Sequence, residues 1–346
     1  MTISVVIPVY NGQRTLPECC MALAAQTYRD FEVIFVDNNS TDASAAVIAA
    51  FMRNNPAQNV RLLTEKKQGA CAARNRGARE ACGEILTHTD PDCIPHPDWL
   101  RDIAAAFGDS SITAVAGSIT SRQPENDHEI FSALFTLRQG GREAVYRAYT
   151  LVEGGYATAN LSIRRAVFEA LGGFDETINY RGTGIGEDHD LLARMYAAGG
   201  TLKAVRGAAV RHWHRSTSRG VFRQGFLFGL AHALLLKRHG SAGLLLTIAG
   251  RTFTVSMPGK GWIDGNGIDK KIAALLVVAP IFPPAAIVLA AYLLIQYRKI
   301  GLRLRKEGFA ATHRTTRTCL LLLIIKCFGM TVGCVRGSLM QRVLCF

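Results

Sequence analysis

The fold class follows from residues 31–42, which read FEVIFVDNNSTD. The first six are aromatic, branched or otherwise apolar apart from Glu32, which predicts a buried strand over 31–36. The polar run that begins at Asp37 ends the strand, and Ser40 or Thr41 can cap a following helix that extends through Arg53. The stretch therefore predicts one β-α unit.

The same order of elements recurs on both sides of this unit. Residues 3–7 form an apolar, β-branched run, and apolar residues follow at helical spacing over 16–23. Residues 60–63 predict another strand, an Ala-rich helix follows over about 70–82, and residues 84–88 predict the next strand. Strands that alternate with helices indicate an α/β fold with a parallel sheet covered on both faces. Ligands of such sheets bind beyond the carboxyl ends of the strands.

The bulk composition narrows the class of protein. The chain has 346 residues, enough for one large domain or two modest ones, and a formal net charge of +13. That charge suits a partner such as anionic lipid or a phosphorylated substrate. Nucleic acid is not an expected partner, because the sequence has no RNA-binding, zinc-finger or helix-turn-helix signature. The nine cysteines include no Cys-x-x-Cys pair, which predicts free thiols in a reducing compartment, without a disulfide framework or a zinc site. No signal peptide precedes the first strand, so we expect a cytoplasmic catalytic part.

Polar residues stand where the predicted strands end. They are Tyr10-Asn11, Asp37-Asn38-Asn39 and Asp90-Pro91-Asp92. The two carboxylates of the last group can share a hard divalent cation, Mg²⁺ or Mn²⁺. Such a cation neutralises a diphosphate leaving group. Taken alone the pattern is weak, because Asp-Pro-Asp is also a favourable turn in which proline presets φ.

Four motifs in this order resemble the nucleotide-binding half of bacterial-type family 2 glycosyltransferases: Ile7–Asn11, Val36–Asp42, Gly69–Gly77 and Thr89–Asp92. Downstream blocks are similar to the acceptor side of that family: Thr158–Arg165, Leu171–Glu176 and Gly186–Leu191. The resemblance covers roughly residues 2–235. It implies a GT-A fold, which is a Rossmann-like mixed sheet flanked by helices. It also implies a hexosyltransferase-type enzyme that uses a nucleotide-diphosphate sugar, with a UDP-sugar as the expected donor.

The resemblance also implies roles for single residues. The residues of the donor side are Pro8, Tyr10, Asn11, Asp37, Asn39, Arg74 and Asp90. Asp37 is expected to accept from the base edge, and Arg74 to approach the diphosphate unless it is an ordinary solvated helix arginine. The expected metal ligands are Asp92, Asp90 and His212, the last preferred over His214 because it follows its strand most directly.

A second pair of carboxylates, Glu187 and Asp188, begins a predicted helix. Inverting transfer requires that the acceptor hydroxyl lose its proton as it attacks, and a positioned carboxylate can take that proton. Asp188 precedes the apolar residues Leu191 and Leu192 by three and four positions, so it lies at the inner edge of the buried face. The start of a helix favours its ionised form. We therefore expect Asp188 to be the base and Glu187 to contact or position the acceptor, the alternative being that both only complement the helix dipole.

Four further features lie downstream of the donor-side motifs. Gly154-Gly155 are expected to give the backbone room near the acceptor, and Trp213 either stacks on an acceptor sugar or lies in the core. Gly172-Gly173 reads as a helix stop. The Gln-x-x-Arg-Trp motif of processive synthases is replaced by Arg223-Gln224-Gly225-Phe226, so processive synthesis is not expected.

The apolar tail divides the chain into three predicted segments. Residues 1–215 are the catalytic domain, 216–260 an amphipathic helical connector and 261–346 a membrane-associated helical region. The connector helix either lies on anionic lipid or is an internal amphipathic helix. A flexible stretch is expected over 258–269.

The tail contains two apolar runs. Residues 272–295 carry no charge, but three prolines interrupt them and both flanks are basic. A full span would place one basic flank outside, against the positive-inside tendency, so a proline-bent re-entrant hairpin is preferred over a span. The second run, 319–335, is broken by Lys326 and reads as a short span or an interfacial helix.

Together these observations predict metal-dependent transfer to a hydroxyl of a lipid-linked or membrane-proximal saccharide, and the resemblance implies that the transfer is inverting. The expected setting is surface or exopolysaccharide assembly at the cytoplasmic face of the inner membrane. The alternatives are transfer onto polyprenyl phosphate and a non-catalytic membrane scaffold that binds nucleotide sugars.

Overall fold

The computed structural model describes residues 1–136, 139–140, 143–149, 156–248, 251–256 and 258–346. The strands of this part are β1 (Ile3–Val9), β2 (Phe31–Asp37), β3 (Asn59–Thr64), β4 (Ile85–Thr89), β5 (Cys93–Pro95), β6 (Ala114–Ser121), β7 (Ala144–Tyr146), β8 (Asn160–Arg164), β9 (Asn179–Tyr180), β10 (Thr183–Gly184), β11 (Leu202–His212), β12 (Gly243–Ile248), β13 (Arg251–Val255), β14 (Lys260–Asp264) and β15 (Leu344–Cys345). The helices are α1 (Leu16–Ala24), α2 (Ser44–Asn54), α3 (Ala70–Glu80), α4 (Trp99–Ala106), α5 (Asp127–Phe135), α6 (Arg165–Ala170), α7 (Glu187–Ala197), α8 (Ser218–His239), α9 (Ile268–Val278), α10 (Pro284–Lys306) and α11 (His313–Gln341).

The chain forms two compact units. The first consists of Met1–Arg122 and Arg138–Trp213, and the second of Gln123–Leu137 and His214–Phe346. The first unit ends close to residue 215, where the sequence predicts the end of the catalytic domain. The second unit also takes α5 from the middle of that predicted domain, which the sequence did not indicate.

The first unit is built on a mixed sheet with the strand order β3-β2-β1-β4-β8-β6-β11-β5, and β7 pairs with β11. The strands β3, β2, β1 and β4 are parallel, as predicted from the β-α units. The strand β8 runs antiparallel to both β4 and β6, and β5 runs antiparallel to β11. The mixed sheet that the family resemblance implies is therefore confirmed.

The core of this unit lies between the sheet and its helices. All seven residues of β1 are buried. The helix α3 packs closely on the sheet because Gly77 has no side chain: a Cβ there would lie 2.5 Å from Cγ1 of Val6. The predicted buried face of α7 is also confirmed, since Leu191, Leu192 and Met195 are fully buried.

The start of α2 differs from the prediction. The helix begins at Ser44, and Ser40 and Thr41 do not cap it. Instead the Asn11 amide donates to Ser40 Oγ (3.0 Å), and the Thr41 amide donates to Asn11 Oδ1 (2.8 Å). The predicted caps are wrong because these residues connect the loop after β2 to the loop after β1.

The second unit contains a helical core and a small sheet. Residues of α5, α8, α10 and α11 share one apolar cluster: Phe131, Leu134, Val221, Ile300, Leu304, Cys319 and Leu322. The sheet has the order β13-β12-β14-β15. The predicted connector over 216–260 is helical only as far as His239, because the branched and apolar residues of β12 and β13 pair as antiparallel strands. The predicted flexible stretch is also structured in part, since β14 pairs with β12.

Two cations in the apolar helices have partners at the end of α5. The Arg303 guanidinium donates to the Leu134 carbonyl (2.6 Å), and Lys326 Nζ donates to the Phe135 carbonyl. The last carbonyls of a helix have no partner within the helix and carry partial negative charge. The lysine that interrupts the second apolar run therefore satisfies the end of another helix.

The first apolar run is divided between two helices. The helix α9 ends at Val278 and α10 begins at Pro284, so the break falls at the prolines. Residues at the break are strongly exposed, with Ile281 at 87%. The helices α10 and α11 are long and apolar enough to cross or associate with a membrane.

Candidate active site

The predicted donor residues gather at one edge of the sheet. The strand β1 lies between β2 and β4, and in the parallel register Val9 is opposite Asp37. Asp90 follows the last residue of β4 directly. Because parallel strands end at the same edge, the polar residues after β1, β2 and β4 are brought together there.

The loops at this edge are held mostly by their own polar groups. Pro8 is buried within β1, whereas Tyr10 is 56% exposed beyond its end. Asn11 (φ 51°) and Asn39 (φ 64°) adopt left-handed conformations, which asparagine tolerates better than most residues. Asn39 Nδ2 donates to the Lys66 carbonyl (3.0 Å). The side chains of both asparagines thus bind protein groups, which shapes the loops around Asp37.

Asn38, which the sequence analysis did not single out, does most to hold this edge. It is buried, and its Nδ2 donates to the carbonyls of Glu65 and Lys67, both at 2.8 Å. Its Oδ1 accepts from the amide of Gly69, 2.7 Å away, immediately before α3. Asn38 therefore positions the start of α3, the helix that carries Arg74. Its position between two other polar residues at the end of a strand is the sequence feature that could have identified it.

Arg74 connects the donor side to the acceptor side. The side chain is buried, and Nη2 lies 2.8 Å from Asp90 Oδ1 while Nη1 lies 3.0 Å from Glu187 Oε1. The neighbouring Arg76 and Arg79 face other carboxylates, Glu80 and Glu65. The alternative that Arg74 is a solvated surface arginine is therefore wrong. Asp90 and Glu187 are far apart in sequence, and Arg74 joins the two predicted carboxylate sites.

Glu187 and Asp188 differ in environment although they are adjacent. Glu187 is buried, and this burial, together with the neighbouring Asp188, raises its pKa to about 7, while Arg74 opposes the shift. The guanidinium of Arg74 stays charged and favours the ionised form, but burial and Asp188 outweigh it, so the pKa of Glu187 remains above that of an ordinary glutamate. Asp188 is half-buried, and its Oδ1 accepts from the His189 amide (2.9 Å) at the start of α7.

Asp92 and His212 come together, as predicted. His212 Nε2 lies 3.3 Å from Asp92 Oδ1, and this oxygen is buried without a hydrogen-bond partner. The ligand atoms of Asp92, Cys93 and His212 all lie within 4.8 Å of one another. Asp90 adjoins this group in sequence, but its Oδ1 is engaged by Arg74.

Trp213 contacts the segment that carries Asp92. Its backbone amide donates to the Asp92 carbonyl (2.9 Å), and the guanidinium carbons of Arg122 and Arg14 lie 3.8 and 4.8 Å from the centre of its ring. These distances are those of cation–π contacts. Stacking on an acceptor sugar would require one guanidinium to move away.

A cavity of about 700 Å³ lies elsewhere in this unit. Its lining includes Asn75, Arg79, Phe174 and Arg194, and the predicted site residues are not among the described residues that line it. It is bordered by Gly172 and Gly173, which follow the end of α6 with positive φ, so the predicted helix stop is confirmed. The predicted glycines Gly154 and Gly155 lie outside the described residues.

Comparison with known proteins agrees with this geometry. Residues 4–172 match the family model described as Glycosyl transferase family 2. Glycosyltransferase AglE of Haloferax volcanii is 31% identical over 184 residues, which are 50% of this chain and 55% of that protein. The O-antigen chain rhamnosyltransferase WbaN of Salmonella anatum is 27% identical over 239 residues, or 66% of this chain and 72% of that protein. The chain spans about half the length of the first curated relatives, AglE among them.

The solved structures extend the likeness over nearly the whole chain. The mannosyltransferase PcManGT from Pyrobaculum calidifontis, in complex with GDP-Man and Mn²⁺, aligns with a TM-score of 0.63 at 18% identity. The alignment covers 96% of this chain and 86% of that one. At this identity the likeness establishes the fold, and the family model identifies the domain. Residues 4–172 therefore form a family 2 glycosyltransferase domain, and the chain has a GT-A fold.

Proposed function

We propose that this glycosyltransferase carries out metal-dependent, inverting transfer from a nucleotide-diphosphate sugar to a hydroxyl of a lipid-linked or membrane-proximal saccharide. The observation that carries the proposal is the pair of contacts made by Arg74. This buried cation holds Asp90, on the donor side, and Glu187, on the acceptor side, within one network. Donor and acceptor groups are thereby kept in a defined relation, as a direct displacement between two bound substrates requires.

The residues present suit a divalent cation. The buried, unpartnered Oδ1 of Asp92 faces His212 Nε2, and Asp90 adjoins them in sequence. Carboxylate and imidazole ligands suit Mn²⁺, whereas imidazole suits Mg²⁺ less well. When bound, the cation would offset the negative charge that develops on the departing diphosphate. Arg74 contributes a fixed positive charge near the same group.

Asp188 is the better candidate for the base. Glu187 is buried and directed at Arg74, so it has a positioning role. Asp188 is half-buried at the first turn of α7, where the helix dipole favours a carboxylate. A base must reach the acceptor hydroxyl and be ionised at the start of the reaction. Pro8, Tyr10 and Asp37 are assigned to the border of the nucleotide base, and Asn11 and Asn39 to the donor side, where their side chains shape the loops.

The substrates are proposed by class. PcManGT is in complex with GDP-Man, which supports a nucleotide sugar as donor without deciding between a guanine and a uracil nucleotide. WbaN is named as an O-antigen chain rhamnosyltransferase, which supports a growing surface polysaccharide as acceptor.

We place the enzyme at the cytoplasmic face of the inner membrane, with residues 1–215 catalytic, 216–260 connecting and 261–346 membrane-associated. The exposed apolar residues around Ile281 and the basic flanks of α9 and α10 support a re-entrant hairpin. Basic residues on both flanks can then remain near anionic lipid headgroups on one side.

A donor screen tests the reaction. Full-length protein in detergent is given each nucleotide sugar with Mn²⁺, Mg²⁺ or EDTA, and release of nucleoside diphosphate is followed with and without membrane lipid extract. We expect metal-dependent release that Asp188→Asn reduces by about 100-fold or more, on the order expected for loss of a general base. Asp92→Ala should also reduce it, because a proposed ligand of the cation is lost. The matched variant Glu187→Gln should keep more turnover than Asp188→Asn. An Asp188→Asn enzyme with wild-type turnover would exclude Asp188 as the base, and tight donor binding without turnover on any acceptor would favour a scaffold.

An accessibility experiment tests the topology. A cysteine is placed at Arg298 (R298C), and whole cells are treated with a thiol reagent that does not cross the inner membrane. The hairpin predicts no labelling above that of the wild-type chain until the membrane is opened. Labelling in intact cells would show that α10 crosses the bilayer.

A further inference from the structure

We propose that Cys93 joins Asp92 and His212 as a third ligand, and that this metal position therefore binds Zn²⁺ in preference to Mg²⁺. The inference rests on the proposed function for the place of the metal. It adds to that function a thiolate ligand and a metal selectivity.

The sheet brings the three side chains together. The strands β5 and β11 are antiparallel, and Cys93 is directly opposite His212 in their register. Residues opposite each other in an antiparallel pair project from the same face of the sheet, with neighbouring Cβ atoms. Asp92 immediately precedes Cys93, and the Trp213 amide holds the Asp92 carbonyl (2.9 Å). The cluster is thus fixed by backbone pairing on both sides.

The spacing of the ligand atoms suits a tetrahedral ion. His212 Nε2 and Asp92 Oδ1 are 3.3 Å apart. Zn²⁺ binds nitrogen and oxygen at about 2.0–2.2 Å in tetrahedral sites, which separates two ligands by about 3.3–3.5 Å. Octahedral Mg²⁺ at about 2.0–2.1 Å brings adjacent ligands to about 2.9 Å. The distance between these two atoms lies in the tetrahedral range, and the sulfur, which is within 4.8 Å of both, would move closer to them when an ion binds.

The chemistry of the cluster points in the same direction. A cysteine, an imidazole and a carboxylate form a donor set that suits Zn²⁺, whereas Mg²⁺ prefers oxygen alone. Asp92 Oδ1 is buried without a hydrogen-bond partner, which is costly unless a cation occupies the site. Among the described residues this is the one group of three or more histidine, cysteine or acidic side chains close enough to share an ion.

Coordination by sulfur would replace one weak contact of the thiol with a bond to the ion. The Cys93 thiol now donates to the Ala159 carbonyl over 3.7 Å, a weak contact. On binding Zn²⁺ the S–H bond breaks, its proton passes to solvent, and the electron pair forms the sulfur–zinc bond without any change of oxidation state. Three protein ligands then leave a fourth position open to water or to a diphosphate oxygen.

Cobalt spectroscopy tests the proposal, because Co²⁺ substitutes for Zn²⁺ and a thiolate ligand gives a charge-transfer band in the near ultraviolet. Full-length, metal-free protein is titrated with Co²⁺ and then with Zn²⁺. We expect the band to appear and Zn²⁺ to abolish it. Cys93→Ser should abolish the band and weaken Zn²⁺ binding at least 10-fold, on the order seen when a metal site loses one element of support.

Two cysteine variants serve as controls. Cys82→Ser removes an exposed thiol, and Cys19→Ser removes a buried thiol whose sulfur lies 4.0 Å from the Asp90 carbonyl but outside the cluster. Both should keep the band. A band that persists in Cys93→Ser, or that is missing from the wild type, would overturn the proposal.

X-ray absorption at the zinc edge of the wild-type protein needs no variant and therefore decides the matter even if Cys93→Ser fails to fold. The expected result is one sulfur neighbour at about 2.3 Å, and a shell of nitrogen and oxygen alone would refute the thiolate ligand. Turnover of the wild type with Mn²⁺ is measured in parallel. Turnover without a sulfur ligand would reject only this inference, whereas a sulfur ligand without sugar transfer would reject the proposed function.

Discussion

The packing of α8 against α11 leads to a prediction that the structure makes quantitative. Three glycines of α11, at 329, 333 and 337, face α8, which contributes Gly225 and Gly229. A Cβ on Gly333 would lie 2.1 Å from the Phe226 carbonyl oxygen and 3.1 Å from the Gly229 Cα, where ordinary contact begins at 3.4 Å. These are backbone atoms, so no side-chain rotation can relieve the clash, and the two helices must move apart.

The matched control is Gly301, in the helix α10. A Cβ there would have ordinary contacts alone, with Thr316 Cγ2 at 3.8 Å and with Arg305 Nη2 and Thr316 Oγ1 at 3.9 Å. In both Gly333→Ala and Gly301→Ala the better helix propensity of alanine contributes about 0.8–1 kcal/mol. That gain cancels in the comparison, which leaves the cost of overpacking, about 1–3 kcal/mol. We expect Gly301→Ala to be neutral or stabilising and Gly333→Ala to be destabilising.

The assay is thermal unfolding in detergent, followed by circular dichroism. For domains of about 150–250 residues, 1 kcal/mol shifts Tm by about 2–4 °C, so the two variants should differ by about 2–12 °C. Gly229→Ala should resemble Gly333→Ala, because its Cβ would lie 2.1 Å from the Met330 carbonyl oxygen. Equal Tm values for Gly333→Ala and Gly301→Ala would refute the close backbone contact between α8 and α11.

Three further predictions concern the catalytic unit. Arg74→Met leaves Asp90 and Glu187 without their shared cation, and should lower the free energy of unfolding by about 3–5 kcal/mol in denaturant titrations. The control is Arg79→Met, which replaces a side chain that is 59% exposed and should change the free energy of unfolding by less than about 0.5 kcal/mol. Similar losses in the two variants would contradict the network around Arg74. Glu187→Gln removes a carboxyl whose pKa is raised to about 7 by burial, so the folded wild type favours the protonated form and loses stability as pH rises from about 4.5 to about 7. The Tm of the variant relative to wild type should therefore improve between about pH 5 and pH 8, and a constant difference would argue against a raised pKa. His88 is fully buried against Phe168 and Phe174, and neither of its ring nitrogens has a hydrogen-bond partner. His88→Leu removes this unsatisfied polar group, which costs about 1–3 kcal/mol, and should therefore raise Tm. A fall in Tm would show that the ring contributes more by packing than its unsatisfied nitrogens cost.

The parallel half of the sheet was predictable because its signals are local. Each strand from β1 to β4 is an apolar run, and each intervening helix has its own periodicity, so neighbouring residues suffice to identify them. The polar residues that follow the strands were also predictable as a group, since strand ends of a parallel sheet meet at one edge. Asp37 and Asp90 were found in this way.

The partners of those residues were not predictable. Nothing near Arg74 in the sequence indicates that it binds both Asp90 and Glu187, because the second contact joins residues more than a hundred positions apart. Cys93 was read as one of nine free thiols, and its position opposite His212 depends on the antiparallel pairing of β5 with β11. The strands β12 and β13 were missed because the apolar character of this region was interpreted as helical and membrane-associated, whereas its short strands pair with each other.

The local amino-acid sequence thus determines the helices and strands of the parallel half of the first unit, the polar edge of its sheet and the apolar character of the tail. Those properties depend on side-chain patterns within a few residues, where propensity and periodicity act. Tertiary structure decided the pairing of Arg74 with two carboxylates, the position of Cys93 beside the proposed metal ligands and the inclusion of α5 in the second unit. They depend on which distant segments meet, and that is settled by burial and backbone hydrogen bonding over the whole fold.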